Sequence, residues 1–336
     1  MRTSCQPALP SGHSLTGAAS RPLVSVVTPV YNGGRYLAEC IESVLVQTYE
    51  SWDYVIVDNC STDDSAEIAR SYAQHDPRIR VLVNERFLNM IQNWNYALKQ
   101  ISPESAYCKV IHADDLMVPE CLERMVALAA AHPSVGIVTA YRLSGPKVDL
   151  DGAVPYGVDV VSGREICRIT LLDGQYVFGS PSSLLIRTDE VREREHFYNE
   201  ENLHCDTEVC FDILRAADLG FVHQILTYTR RHREAVTSRA GRLNTYMSGW
   251  LRVMTTYGPV YLTPEEFSRR LAWFVRRYAV FLAKAVVQGK FLDEEFREHH
   301  TGTLGMLRRR VSPSQLSRGL VLSSLPRRPQ RRFQSA

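Results

Sequence analysis

The chain has 336 residues, 45% of them hydrophobic and 23% charged, with a formal net charge of +2. That composition supports a sizeable core and excludes a chain that stays disordered throughout. Eight cysteines with no CxxC pair exclude a disulfide framework and point to a reducing, cytoplasmic setting, and no apolar run reaches the roughly 18 residues of a membrane span.

Residues 1–20, rich in Ser, Gly, Pro and Ala, read as a disordered leader. Leu23–Thr28 is a short β-branched strand ended by Pro29, and Arg35–Gln47 follows as a helix with apolar residues at 37, 41, 44 and 45. The unit repeats. Tyr54–Val57 reads as a strand, and residues 61–64 supply a cap and first-turn acids for a helix to about His75. Then come a strand at Arg80–Val83, a helix at Asn89–Gln100, a strand at Tyr107–His112, a helix at Pro119–Ala131 and a strand at Val135–Ala140.

Strands alternating with helices predict parallel pairing with right-handed crossovers, hence a doubly wound α/β sheet. Ligands of such sheets bind beyond the carboxyl ends of the strands. Those exits, at 29–34, 58–64, 84–89 and 112–117, concentrate Asp, Asn and Gly. Residues 141–240 are less periodic and are expected to complete the sheet and the acceptor side. Residues 241–300 read as helical, with Trp273, Phe274, Tyr278 and Phe281 forming either a core-packed stripe or a membrane-surface face. Residues 301–336 hold eight arginines and no acid, which reads as a solvated tail or a contact with an anionic membrane.

Asp114 and Asp115 leave the strand side by side. Adjacent carboxylates repel unless they share a cation or face separate partners, and hard oxygen ligands suit Mg2+ or Mn2+. Taken alone, such a pair also fits a turn before Pro119. Gly33 and Gly34 lack the GxGxxG fingerprint, and GxxxxGK[ST] is absent. His196, His204, Cys205 and Cys210 match no closed zinc spacing.

The run VSVVTPVYNGGRYLAECIESVLVQTYESWDYVIVDNCSTDDS (24–65) and the run NWNYALKQISPESAYCKVIHADDLMVPECLERMV (93–126) together resemble the family 2 glycosyltransferases of bacterial cell-surface polysaccharide synthesis. The resemblance covers about a third of the chain and implies the Rossmann-like GT-A fold, a mostly parallel sheet, over 21–240. A helical extension follows at 241–300 and a basic tail at 301–336. It further implies inverting transfer of a sugar from a nucleotide diphosphate donor, with a UDP-sugar expected, to a hydroxyl on a glycan or lipid-linked acceptor. Mn2+ or Mg2+ would serve as cofactor, nucleic acid would not be a partner, and the protein would be cytoplasmic, with peripheral contact at the inner membrane face.

Residue by residue, the resemblance assigns Thr28, Pro29, Tyr31 and Asn32 to the base. Asp58 and Asn59 stand where the family usually has paired acids, with Asn59 accepting from the base through its amide oxygen. Asp114 is assigned to the ribose or the metal and Asp115 to the metal. His112 occupies the place of the first acid of an Asp-x-Asp and is read as a residue of the pocket wall. Asp206, before a helix expected over Thr207–Ala217, matches the general base, although Cys205 replaces the preceding acid; the alternative is an N-cap. His232 is assigned to the metal or diphosphate, and Arg230 and Arg231 to the diphosphate.

Two other readings stand beside this one. A non-catalytic nucleotide-sugar or carbohydrate-binding relative would keep the base pocket without turnover. A sugar-nucleotide pyrophosphorylase would need a Gly- and Arg/Lys-rich loop after the first strand, where this chain has Tyr31-Asn32-Gly33-Gly34 and a single Arg35.

Overall fold

Seven consecutive residues, Val24–Val30, are buried and form β1, the strand on which the sheet is built. A computed structural model describes residues 21–150, 154–232 and 241–314. From β1 the chain runs through α1 (Gly34–Leu45), β2 (Trp52–Asp58), α2 (Ser65–Ala73), β3 (Ile79–Val83), α3 (Met90–Leu98) and β4 (Tyr107–Val110). β1 pairs in parallel with β2 and with β4, and β2 in parallel with β3. The expected alternation is therefore present, with boundaries shifted by no more than three residues.

The later elements are β5 (Leu116–Met117), α4 (Cys121–Ala131), β6 (Val135–Ser144), β7 (Lys147–Asp149), β8 (Val160–Val161) and α5 (Gly163–Asp173). They continue through β9 (Leu185–Arg187), α6 (Thr188–Arg192), α7 (Cys205–Ile213) and β10 (Asp218–Thr229). Along the sheet the order is β3-β2-β1-β4-β9-β6-β10-β5. The two long late strands, β6 and β10, are parallel, while the three-residue β9 inserts antiparallel between β4 and β6. The result is the expected mostly parallel α/β sheet with short antiparallel strands at its later half.

Successive side chains of a strand point to opposite faces, and the core divides accordingly. Val27, Val55, Val57 and Val110 join Ile91, Ile166 and Phe211 on one face. Val26, Val30, Tyr54 and Ile56 join Leu37, Ile41, Leu122 and Met125 on the other. Pro29 does not end β1, contrary to the sequence reading. The Val27 carbonyl accepts from Ile111 N–H on the β4 side, so Pro29, two residues on, also faces that side, past the end of β4. Its missing N–H removes no ladder bond there.

Among the described residues three long helices follow: α8 (Thr245–Tyr261), α9 (Pro264–Val287) and α10 (Glu294–Arg310). α9 opens with a capping box between Thr263 and Glu266 and Pro264 in its first turn. Leu251, Met254, Phe274 and Tyr278 belong to the same apolar cluster as the sheet, so the extension packs on the core. α10 continues to Arg310, which corrects the start of the expected unstructured tail at 301. Arg308, Arg309 and Arg310 fall in its last turn, where cations meet the negative end of the helix dipole. The expected leader, 1–20, and the tail beyond 314 lie outside the described residues. Among the described residues no helix is long and apolar enough to cross a membrane.

Candidate active site

Beyond the end of β4 the backbone turns, with Asp115 N–H donating to the His112 carbonyl at 2.9 Å. β5 then pairs antiparallel with β10 through Met117 and Thr227, and Val118 N–H donates to the Leu226 carbonyl. This stitching carries the segment after β10 alongside the paired acids, although more than a hundred residues separate them. Arg230 N–H donates to Asp115 Oδ1 at 3.2 Å, and Arg230 Nε–H donates to the Asp114 carbonyl at 3.2 Å. His232 Nε2 lies 2.9 Å from Asp114 Oδ2.

Asp115 is only 3% exposed. Burial pushes its carboxyl above the usual range, and the neighbouring charge of Asp114 adds to the shift. One ring nitrogen of His112 and one oxygen from each of Asp114 and Asp115 lie within 4.8 Å of one another. His112 Nε2 is buried and makes no hydrogen bond. An orphaned imidazole nitrogen beside two carboxylates is a donor set that fits a divalent cation. Among the described residues the converging set is His112, Asp114 and Asp115, and His232, expected beside Asp115 as a metal residue, lies against Asp114.

His112 is held from behind. Its ring lies 4.8 Å from that of Trp94, and its backbone N–H donates to Ser182 Oγ at 3.1 Å. The Ser182 carbonyl in turn accepts from the fully buried Lys109 Nζ at 2.6 Å. The Arg230 guanidinium meets Glu39 at 2.9 Å and lies over the Tyr36 ring at 4.4 Å. It staples α1 to the acidic loop, so the expected diphosphate role has to share this side chain with Glu39. Arg231 is exposed, and its Nε–H donates to Ser144 Oγ at 2.8 Å.

A cavity of about 480 Å³ runs from this cluster to Asp206. α7 begins at Cys205 with His204 at its cap, so Asp206 is the second helical residue rather than the cap, and Thr207 N–H donates to its Oδ1 at 2.8 Å. Burial raises the Asp206 pKa, and the facing His204 opposes that rise. His204 Nε2 is 3.0 Å from Thr245 Oγ1, and a Cβ on Gly249 would come within 2.5 Å of the His204 ring. α8 can close on α7 this tightly only because residue 249 is glycine. Trp94, Tyr176, Tyr246 and Trp250 form the apolar wall of the cavity. The sequence reading missed these four. Their aromatic character was visible, but the direction each ring faces is set by packing between distant segments.

At the other strand exits most polar atoms are already engaged. Thr28 is fully buried, its Oγ1 donating to the Ile111 carbonyl at 2.7 Å and sitting 2.8 Å from the Tyr54 hydroxyl. The expectation that it touches the base is thus corrected, because alternation along β1 turns it into the core. Asn59, 1% exposed, is corrected as well. Its Oδ1 accepts from Leu88 N–H and from Asn84 Nδ2, and its Nδ2 donates to the Leu88 carbonyl. An amide used this way pins the loop before α3 and leaves its oxygen with no lone pair for a ligand.

Asp58, also buried, accepts from Ser61 N–H, and Pro29 is buried in β1. Asn32 adopts a left-handed φ of 49° and accepts from Thr62 N–H. Asp63 joins two helix starts, accepting from Gly34 N–H and from Ser65 N–H. Tyr31 stands clear at 51% exposure, edge-on to the 58% exposed Phe87 at 4.9 Å.

The Glycosyl transferase family 2 model matches residues 25–156. The putative glycosyltransferase EpsE of Bacillus subtilis is 32% identical over 159 residues, 46% of this chain and 56% of that protein. An uncharacterized Mycobacterium tuberculosis protein, MT1568, is 33% identical over 282 residues, 80% of this chain and 86% of that one. Among solved structures, S. aureus TarS (residues 1–349) in complex with UDP-GlcNAc superposes with a TM-score of 0.62 at 19% identity, covering 89% of each chain. The chain spans between 13% and 56% of the length of the first four curated relatives it matches.

Proposed function

Because this chain belongs to glycosyl transferase family 2, we propose that it is an inverting glycosyltransferase moving a sugar from a nucleotide diphosphate donor to an acceptor hydroxyl. The observation that carries the reading is the single cavity joining the His112, Asp114 and Asp115 cluster to Asp206. One end suits a diphosphate and its cation, and the other offers a buried carboxylate of raised pKa. A UDP-sugar is the expected donor, consistent with the UDP-GlcNAc complex of TarS.

In this reading the nucleotide lies along the strand exits, with the exposed Tyr31 ring available to stack on the base. Arg231 faces the diphosphate from the cavity wall, joined by Arg230 where its pairing with Glu39 allows. Mn2+ or Mg2+, held by His112, Asp114 and Asp115, would offset the charge that develops on the leaving diphosphate. Asp206 takes the proton of the acceptor hydroxyl, whose oxygen attacks the anomeric carbon from the face opposite the leaving group. The bond from that carbon to the diphosphate breaks, leaving the glycosylated acceptor, a nucleoside diphosphate and a proton on Asp206. Burial of Asp206 favours this, since a base whose pKa lies closer to working pH transfers protons more effectively.

The acceptor is assigned to the glycan or lipid-linked class, and the enzyme to the cytoplasmic side of the membrane, with the basic tail as its peripheral contact. The test is calorimetry of the purified protein with UDP, GDP and dTDP, with and without Mn2+, repeated on Asp115→Ala. Metal-dependent binding of one nucleotide, lost in the variant, supports the reading and names the base. Absence of binding under every condition sinks it.

A further inference from the structure

The cation site proposed above differs from an all-carboxylate one at a single residue. His112 stands at the first of three converging ligand positions, with Asp114 and Asp115 supplying the other two. Its Nε2 is buried without a hydrogen bond. Trp94 packs against the ring, and the backbone that carries it is fixed through its N–H to Ser182. The turn carrying Ser182 is itself tethered to Lys109 from within the core. An imidazole is thus presented to the cluster by a built support.

We propose that His112 is a direct ligand that makes this site discriminate against Mg2+ in favour of Mn2+ and later transition metals. Mg2+ is hard, demands oxygen donors and gives up its water reluctantly, whereas Mn2+ accepts imidazole nitrogen beside carboxylate oxygen. Exchanging one carboxylate for a neutral imidazole also removes a negative charge from the site. This lowers the purely electrostatic attraction on which Mg2+ depends more heavily than Mn2+ does. Asp114 and Asp115 supply the oxygens common to both metals, so the selectivity resides in residue 112. The inference rests on the metal-dependent reading above and specifies the chemistry of its cation.

The experiment uses the full chain with UDP and Mn2+, read by electron spin-echo spectroscopy of the bound Mn2+ and by competition with Mg2+. Wild type should show 14N modulation from a coordinated imidazole, and Mg2+ should displace Mn2+ only at an excess of ~100-fold or more. His112→Asp should lose the 14N signal, bind both metals and narrow the Mn2+ preference by ~10-fold. His112→Asn, which keeps a small polar side chain without a nitrogen ligand, should lose the signal and weaken Mn2+ by ~10-fold or more. A 14N signal that persists in both variants would assign the nitrogen to His232 and overturn the proposal. So would an unchanged Mn2+/Mg2+ ratio in His112→Asp. Failure of UDP to bind wild type with either metal would instead remove the transferase reading itself, a distinct result.

Discussion

The strand-exit rim and the cavity floor are built from the same residue types and treat them in opposite ways. At the rim, Asn59 spends its whole amide on Leu88 and Asn84, Asn32 takes the backbone of Thr62, and one Asp63 carboxylate joins the starts of α1 and α2. On the floor, His112 Nε2 has no hydrogen bond, and burial holds both Asp115 and Asp206 above the ordinary carboxylate range. The rim is therefore largely a satisfied frame, with Asp58 Oδ1 and Asn84 Oδ1 the exceptions, and the floor carries groups whose desolvation has yet to be compensated. Buried groups in that condition mark chemistry rather than support.

If that contrast holds, the largest single effect belongs on the floor. Asp206→Asn should lower turnover by ~10²–10⁴-fold, the usual contribution of a positioned base. UDP affinity should stay within about twofold, because Asp206 stands apart from the nucleotide exits. A loss of UDP binding in parallel with turnover would mean that floor and rim are not separable. In the wild type, the rate should rise with pH through the raised pKa of Asp206, since only the ionised carboxylate can accept the acceptor's proton, and reach a plateau above it.

The next effect belongs to the rim and should appear as stability. Asn59→Ala orphans the Leu88 N–H and carbonyl and one donor of Asn84, at a cost of about 1–3 kcal/mol for the buried groups left unpaired. Thermal unfolding should shift down by several degrees. An unchanged melting temperature would show that the rim is not held as described. Tyr31→Ala tests the exposed part of the same rim: UDP affinity should fall by about 1–2 kcal/mol, the usual worth of one base stacked on an aromatic, with the melting temperature unmoved.

The same contrast explains what was legible in the sequence. Strand exits announce themselves through Pro, Gly, Asn and Asp, and Asp114 and Asp115 are adjacent in the chain, so the rim's location and the acidic pair could be read directly. The roles were harder. Thr28 stands in the TPVYN run, but the two-residue period of β1 turns its hydroxyl to Tyr54 rather than to a ligand. Asn59 looked free because its partner Leu88 lies 29 residues away. His112 looked like wall because whether an imidazole faces a carboxylate depends on Trp94 and Ser182, neither of them near in sequence. Tyr246 and Trp250 reach the cavity because Gly249 lets α8 close on His204, a contact no local pattern encodes. Motif spacing carries what one segment does to itself, and the floor is made of contacts between segments.

The smallest effect is the most discriminating, because it asks whether the floor costs the fold anything. Asp206 has a raised pKa in the folded protein, so between the ordinary carboxylate value of 3.8 and that raised value the native state binds its proton more tightly than the unfolded state does. Stability changes with pH as the difference in protons bound, unfolded minus native, and that difference is negative in this window. The contribution of Asp206 is thus fully present below 3.8 and is lost as pH rises through the raised value, by ~1.4 kcal/mol for each unit of displacement. Asp206→Asn resembles the protonated acid and cannot ionise. Melted with a chelator, the variant should match wild type at low pH and exceed it by a few degrees at neutral pH. The gap should open across the same interval in which turnover rises. A stabilised but inactive variant would place the cost of Asp206 and its use in one ionisation. If the two melting curves instead run parallel from low pH to neutral, Asp206 is not desolvated and the floor is no different from the rim.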